Sequence, residues 1–158
     1  MEDEKKIQKT KEVYDAVCKY LEAHNWPYHK TEEKFMIDCK AAGEDLPMDI
    51  TIHLNPNVQI LSIFSCLPFE IPEDKRLDFA VAVSVINNKL LNGCFDYDIH
   101  SGHVYYRMTN SFMESTLGDD AFTYLLFASC KIIDDYNDKL LMLAKNLISL
   151  EQFISNNQ

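Results

Sequence analysis

Glycine is scarce in this sequence. Only four glycines occur among the 158 residues, and no two stand close enough to form a phosphate-cradling loop. No stretch approaches the roughly 18 apolar residues that a membrane-spanning helix needs. The amino terminus opens with charged residues and lacks the apolar segment of a secretory signal. These absences argue against a nucleotide-binding fingerprint, a membrane span and secretion.

Positive charge is also in short supply, because 15 lysines and arginines stand against 25 aspartates and glutamates. The formal net charge is -10 and the isoelectric point is about 4.8. A field of this sign repels nucleic-acid phosphates and anionic lipid headgroups. We therefore expect neither nucleic acid nor a membrane surface as a partner, whereas a basic protein or peptide stays open.

Familiar catalytic patterns are missing as well, since the sequence contains neither GxSxG nor a CxxC pair. Cys39 is in phase with Phe35 and Ile37, which directs it into the core, where a thiol is unreactive. We expect buried thiols in the reducing cytoplasm, no cofactor and no enzymatic activity. The five cysteines are odd in number and widely spaced: Cys18, Cys39, Cys66, Cys94 and Cys130.

His100 and His103 have the HxxH spacing found in metal sites, and Asp96 and Asp98 precede them. All four fall on a predicted hairpin, where a solvated turn is the commoner explanation. A calcium loop is excluded because Arg107 stands where a bidentate acid is required. We therefore expect no metal site. A thiol or metal enzyme that uses His100, His103 or an exposed cysteine remains an alternative.

What the sequence does contain is enough apolar residues for one core. Hydrophobic residues make up 47% of the chain, and its length is typical of one domain. No linker or internal repeat divides it. We therefore predict a single domain over residues 1–158, with a frayed tail at Ser155–Gln158.

Apolar residues at helical spacing predict a first helix from about Lys5 to His24, which Asn25-Trp26-Pro27 ends. From Tyr28 to Leu67 the apolar period changes to two, which is the period of strands. The predicted strands are 34–40, 48–54 and, after the Asn55-Pro56-Asn57 turn, 58–67.

Pro72 begins a second predicted helix, which runs to about Leu91. A hairpin follows, with strands at 95–99 and 104–108 and Gly102 in its turn. Thr116 is placed to cap a long final helix, whose apolar stripe continues to Leu147. The order α-β-β-β-α-β-β-α predicts an α+β domain in which helices pack against an antiparallel sheet.

This order of elements resembles the YbjN-like bacterial family, which has the type III secretion chaperone-like fold. The resemblance covers the chain from about Val13 to Leu147. The segments that carry it are Tyr20-Leu21, Asn25–Tyr28, Leu67–Arg76, Asn87–Leu91 leading to Gly93 and Phe95, and the turn at Asp98–Gly102. The resemblance implies a non-enzymatic regulatory or chaperone-like protein of the bacterial cytosol, which binds another protein and needs no cofactor.

The third predicted strand, Val58–Leu67, has apolar residues on both faces. Leu61, Ile63 and Leu67 share one of them. Either a helix of the same chain covers that face, or it is an exposed patch that binds a protein or a second copy of the chain. Aromatic residues beside prolines add to the predicted surface, because aromatics are favoured interface anchors. The predicted partner-binding residues are Trp26, Leu61, Ile63, Leu67 and Phe69.

Overall fold

The computed structural model describes residues 2–157 and begins with helix α1, Glu2–Ala23. The apolar stripe predicted from the sequence faces the core, where Val13, Val17 and Leu21 are buried. Asn25 ends the helix in the left-handed region, with φ 53°. The Trp26 N–H then donates back to the Leu21 carbonyl at 2.8 Å, so the chain reverses with Trp26 held against the helix end.

Four strands, one more than predicted, occupy the segment from Tyr28 to Cys66. The additional strand turns into the next one through a short 3₁₀ turn, Glu32–Lys34, and a left-handed Phe35. Its sequence, Tyr-His-Lys-Thr, has no apolar alternation, so nothing in the pattern distinguishes it from a loop. The strands are β1 Tyr28–Thr31, β2 Met36–Ala41, β3 Met48–Asn55 and β4 Ile60–Cys66.

The strand predicted from Val58 starts two residues later, at Ile60. The Asn55 side chain accepts from the N–H of Asn57 at 3.0 Å, and Gln59 lies in the left-handed region with φ 50°. The turn therefore extends through Gln59.

Helix α2, Arg76–Asn87, is shorter than predicted and is followed by β5, Cys94–Tyr97, and β6, Val104–Ser111. Gly102 has φ 81° in the turn between these strands, as predicted. Its carbonyl accepts from the N–H of Ile71 at 2.9 Å, which ties the hairpin to the segment before α2.

The long final helix, predicted to continue to Leu147, is α3, Asp119–Ala144, and a short helix that was not predicted, α4, Leu150–Asn156, follows it. The break occurs at Asn146, which is left-handed with φ 57°, and a Ser149 capping box starts α4. Thr116 does not cap α3, since Gly118 holds that position without a side-chain bond.

The chain is helical as far as Asn156. Ser155 and Asn156 belong to α4, and buried Asn157 donates from its side chain to the Phe153 carbonyl at 2.7 Å, which anchors the end. Gln158 lies outside the described residues.

All six strands form one antiparallel sheet in the order β1-β2-β3-β4-β6-β5. One face is apolar, as in the cross-strand row Ile37, Ile52, Ile63 and Met108, and the helices pack on it. The other face is open. The predicted α+β architecture of helices on an antiparallel sheet is therefore confirmed.

Candidate functional site

Three of the five predicted partner residues lie in the core. Leu61, Ile63 and Leu67 are 1%, 0% and 3% exposed. Burial alternates along β4, and these side chains point to the face that α3 covers. The prediction that they form an exposed patch is therefore wrong, and the alternative, cover by a helix of the same chain, is what the structure has.

The open side of β4 carries Ile60, Phe64 and Cys66 instead, set among polar neighbours. Phe64 is half-buried between Thr51 and Arg107 on the adjacent strands. Arg107 donates through Nε to Asp96 Oδ2 at 2.6 Å, so the charges beside Phe64 are paired. This face resembles an ordinary solvated face of an antiparallel sheet more than a protein-binding patch.

Trp26, the fourth predicted residue, is half-buried and fixed in position. Its indole Nε1 donates to the Lys40 carbonyl at 3.0 Å, at the end of β2 where β1 no longer pairs. The ring meets Phe127 of α3 edge-to-face, with centroids 5.8 Å apart and an interplanar angle of 71°. The helix end and Pro27 thus place an aromatic ring at the boundary between the sheet and α3.

Trp26 and Phe127 are walls of a surface cavity of about 410 Å³, which we call the Trp26–Phe127 groove. The Phe127 side chain is 51% exposed, although phenylalanine is one of the residues most often buried in protein cores. The other lining residues are His24, Asn25, Pro27, Lys40, Ala41, Ala42 and Cys130.

The sequence pattern does not single out Phe127, because it lies off the buried stripe of α3, which runs through Phe122, Leu126 and Ile133. An aromatic residue outside the stripe of an amphipathic helix is the signal that could have found it. One turn earlier, Tyr124 is also exposed, and its hydroxyl accepts from Asn92 Nδ2 at 2.9 Å. Exposed aromatic surface therefore continues along α3.

Acidic side chains lie beyond the Cys130 end of the groove. Asp134, one turn after Cys130, accepts through Oδ1 from the Glu44 N–H at 2.9 Å and so holds the loop between β2 and β3 against α3. Two lysines of this region are paired: Lys131 Nζ lies 3.0 Å from Asp135, and Lys40, which lines the groove, has its Nζ 3.4 Å from Asp49. Beyond the Cys130 end, the carboxylates of Asp134, Asp135, Glu44 and Asp45 outnumber Lys131, and we call this edge the acidic rim.

Phe69, the fifth predicted residue, is half-buried beside a different cavity of about 360 Å³. Cys66 and His103 line the same cavity, and His103 Nε2 lies 3.5 Å from Glu70 Oε1. The structure thus brings Phe69 next to a cysteine and a histidine, but it does not join Phe69 to Trp26, since the two cavities share no lining residue.

Cys18 and Cys39 are buried as predicted, whereas Cys94 and Cys130 are half-buried and Cys66 is exposed. Burial raises the pKa of Cys39 to about 12 and that of Cys130 to about 11. Burial also raises the pKa of Cys66, whose Sγ donates to the Leu67 carbonyl at 3.5 Å. Because the thiolate is the nucleophile, a raised pKa makes each of these thiols less reactive at neutral pH.

The HxxH segment forms a turn. The Asp98 side chain accepts from the His100 N–H at 2.9 Å and from Ser101 Oγ at 2.7 Å, while Arg76 donates to the His100 carbonyl at 2.6 Å. Within residues 2–157, no group of three or more histidine, cysteine, aspartate or glutamate side chains is placed to hold a metal ion. In the same part of the chain, no helix is both long and apolar enough to span a membrane.

Comparison with known proteins identifies the fold. No protein-family model matches the sequence, and no curated protein sequence matches it significantly. Among solved structures, YbjN from E. coli, proposed to be a transcription regulator, superposes with a TM-score of 0.61 and 14% identity. The match covers 84% of this chain and 92% of YbjN. The fold is YbjN-like.

A chain of the ExsC–ExsE complex has the same architecture, with a TM-score of 0.51 and 12% identity. The match covers 80% of this chain and 94% of the other. The YbjN-like, chaperone-like fold predicted from the sequence is confirmed. At these identities the comparison establishes fold alone, and function has to be argued from the surface.

Proposed function

We propose that this chain is a non-enzymatic regulatory or chaperone-like protein that binds another protein through the Trp26–Phe127 groove. The observation that carries the proposal is the exposed Phe127 ring beside a rigidly held Trp26, over a cavity large enough for a side chain of a partner. Of the five predicted partner-binding residues, Trp26 and Phe69 are the ones that are partly exposed to solvent.

The energetics favour a partner at this position. Aromatic side chains are enriched at the centres of protein interfaces, where a few of them supply most of the binding energy. Trp26 is already immobilised by its bond to Lys40 and by its contact with Phe127. A partner that covers these rings therefore gains apolar burial without ordering Trp26 first.

The YbjN-like fold supports the same proposal. One of the solved chains that share it belongs to the ExsC–ExsE complex, so the architecture is compatible with holding a protein partner. The raised pKa values of Cys39 and Cys130 support a non-enzymatic role. Five free cysteines suit a reducing compartment, and we place the protein in the bacterial cytoplasm.

The test is capture of a partner from an extract of the native cell by the immobilised protein and two variants. Phe127→Asp places a charge in the groove. Met113→Asp is the matched control, since Met113 is similarly exposed, at 59% against 51% for Phe127, but follows β6. Ser111 of β6 pairs with Ile60, at the end of the sheet opposite Ala41 and Met48, so Met113 is remote from the groove.

We expect a protein that the wild type and Met113→Asp retain and Phe127→Asp loses, with all three proteins equally folded by circular dichroism. A partner retained equally by Phe127→Asp would place binding elsewhere and would overturn the assignment of the groove.

A second candidate function is a homodimer with no further ligand. It rests on α2, where Leu77 and Val81 are 76% and 45% exposed and lie one turn apart on one face of the helix. A second copy could cover this face through an isologous contact. Sedimentation at micromolar concentration decides, because a dimer disrupted by Leu77→Asp supports this candidate and a monomer removes it.

A further inference from the structure

The Trp26–Phe127 groove has an aromatic wall, and the acidic rim lies beyond its Cys130 end. Cys130 lies on its lining, and the Asp134 carboxylate follows one helical turn later. Through its bond to Asp134, the backbone of Glu44 is held beside α3, and Asp45 follows it; both side chains are exposed. A ligand that fills the groove and continues along α3 past Cys130 therefore meets carboxylates.

The basic side chains near the groove do not cancel this charge. Lys40 lines the groove and is paired with Asp49, and Lys131 beyond it is paired with Asp135, so each lysine is matched by a carboxylate of its own. Glu44, Asp45 and Asp134 add negative charge beyond these pairs. The molecule as a whole also carries a formal charge of -10, which reinforces the local potential.

Resting on the proposed function above, we infer that the occupant of the Trp26–Phe127 groove is a basic, extended protein segment that lays an arginine or lysine side chain across the two rings. The aliphatic stem of such a side chain packs on apolar surface while its charged end stays in water. The rings attract the cation through their electron-rich faces, and the carboxylates of the rim attract it at longer range.

Arginine suits the site better than lysine. Its planar guanidinium stacks on aromatic rings and binds carboxylates through paired N–H groups, and it is more weakly hydrated than an ammonium group. An acidic or neutral segment would gain the same apolar contacts but would lose the attraction of the rim. The groove therefore selects its occupant by charge as well as by shape.

The inference can be tested with the intact protein and synthetic peptides, because Trp26 is the sole tryptophan and its emission reports on the groove. The probe is a short capped peptide with a central leucine flanked by arginines. Two matched peptides replace every arginine by glutamine or by glutamate. We expect the arginine peptide to shift Trp26 emission saturably, with about tenfold weaker binding for the glutamine peptide and none for the glutamate peptide. Added salt should weaken only the arginine peptide.

Variants separate the groove from general attraction to an acidic protein. The double variant with Glu44→Gln and Asp45→Asn should bind the arginine peptide about fivefold or more weakly. Glu114→Gln, in the loop after β6, should leave the affinity for this peptide unchanged. Phe127→Ala should reduce binding and Met113→Ala should not.

Equal binding of the arginine and glutamine peptides, or no response of Trp26 to any peptide, would overturn the basic-segment inference. The inference would also be overturned if Glu114→Gln weakened binding of the arginine peptide as much as Glu44→Gln with Asp45→Asn does. That result would mean that net charge alone attracts the peptide. The proposed function fails by a different result, namely retention of the cellular partner by Phe127→Asp.

Discussion

The reactivity of each cysteine follows from its surroundings. Cys39 is buried between the sheet and α3, and its pKa of about 12 leaves almost no thiolate at neutral pH. Cys18 on α1 is also buried, and burial raises its pKa. Cys66 is exposed, yet its pKa is raised as well.

We predict that a thiol-reactive dye will label Cys66 first in the native protein and will reach Cys18 and Cys39 only after unfolding. Mass spectrometry of the labelled peptides provides the readout. None of the five cysteines should react faster than free glutathione. A single cysteine that reacts faster would revive the alternative of a thiol enzyme.

Asp96 and Arg107 form the best-defined ion pair of the open sheet face, with contacts of 2.6 and 3.2 Å. The hydrogen bond from Arg107 lowers the pKa of Asp96 below its ordinary value near 3.8. A carboxylate with a lowered pKa stabilises the fold above its unfolded-state pKa and loses that effect as the pH falls through its folded-state value.

We predict that Asp96→Asn lowers the free energy of unfolding at neutral pH by less than about 1 kcal/mol, because the pair is partly exposed and screened by solvent. The difference from wild type should shrink as the pH falls below 3.8. Urea unfolding at a series of pH values measures this difference in the free energy of unfolding, with Glu114→Gln as the control. A difference that grows in acid would contradict the assigned direction of the pKa shift.

At the scale of elements, β4 and α3 divide the apolar residues between core and surface. Ile63 of β4 is 0% exposed and faces the helices, whereas Phe127 of α3 is half-exposed beside Trp26. We predict that Ile63→Ala lowers the free energy of unfolding by about 2–5 kcal/mol.

Phe127→Ala, in contrast, should change the free energy of unfolding by less than about 1 kcal/mol, because about half of the ring is already in water. Urea titrations of the two variants make the comparison directly. Similar losses for both would mean that Phe127 is a core residue and that the groove is a packing feature.

The elements with a long apolar period could be predicted from the sequence, and the short or irregular ones could not. The apolar residues of α1 and β3 recur with a regular period, and the turn at Gly102 depends on local residues alone, so all three could be predicted. β1 has no such repeat, and the helix break at Asn146 falls inside a continuous apolar stripe. Only backbone conformation, here a left-handed asparagine, distinguishes two helices from one.

The candidate site was predictable only in part for a related reason. Trp26 stands out by its place between a helix end and Pro27, but its partner Phe127 lies 101 positions away and is joined to it only by tertiary packing. The sequence shows that β4 is apolar on both faces, yet the choice between the faces depends on where α3 crosses the sheet. That crossing is not encoded in the pattern of β4 itself.

At the scale of the molecule, the charge of -10 limits self-association and favours basic partners. Attraction to such a partner should weaken with added salt, whereas the apolar contacts in the groove should persist. The Trp26–Phe127 groove and the acidic surface are the observations on which the proposed binding of a protein segment rests.

The emission of Trp26, the only tryptophan of the sequence, tests this account most directly. The titrant is the captured cellular partner or its binding segment, in a form that contains no tryptophan or whose tryptophan emission is quenched. The account predicts a saturable change in Trp26 emission on titration of the wild type and of Met113→Asp, and no change with Phe127→Asp. Binding of equal affinity to all three proteins, with Trp26 emission unaltered, would contradict it.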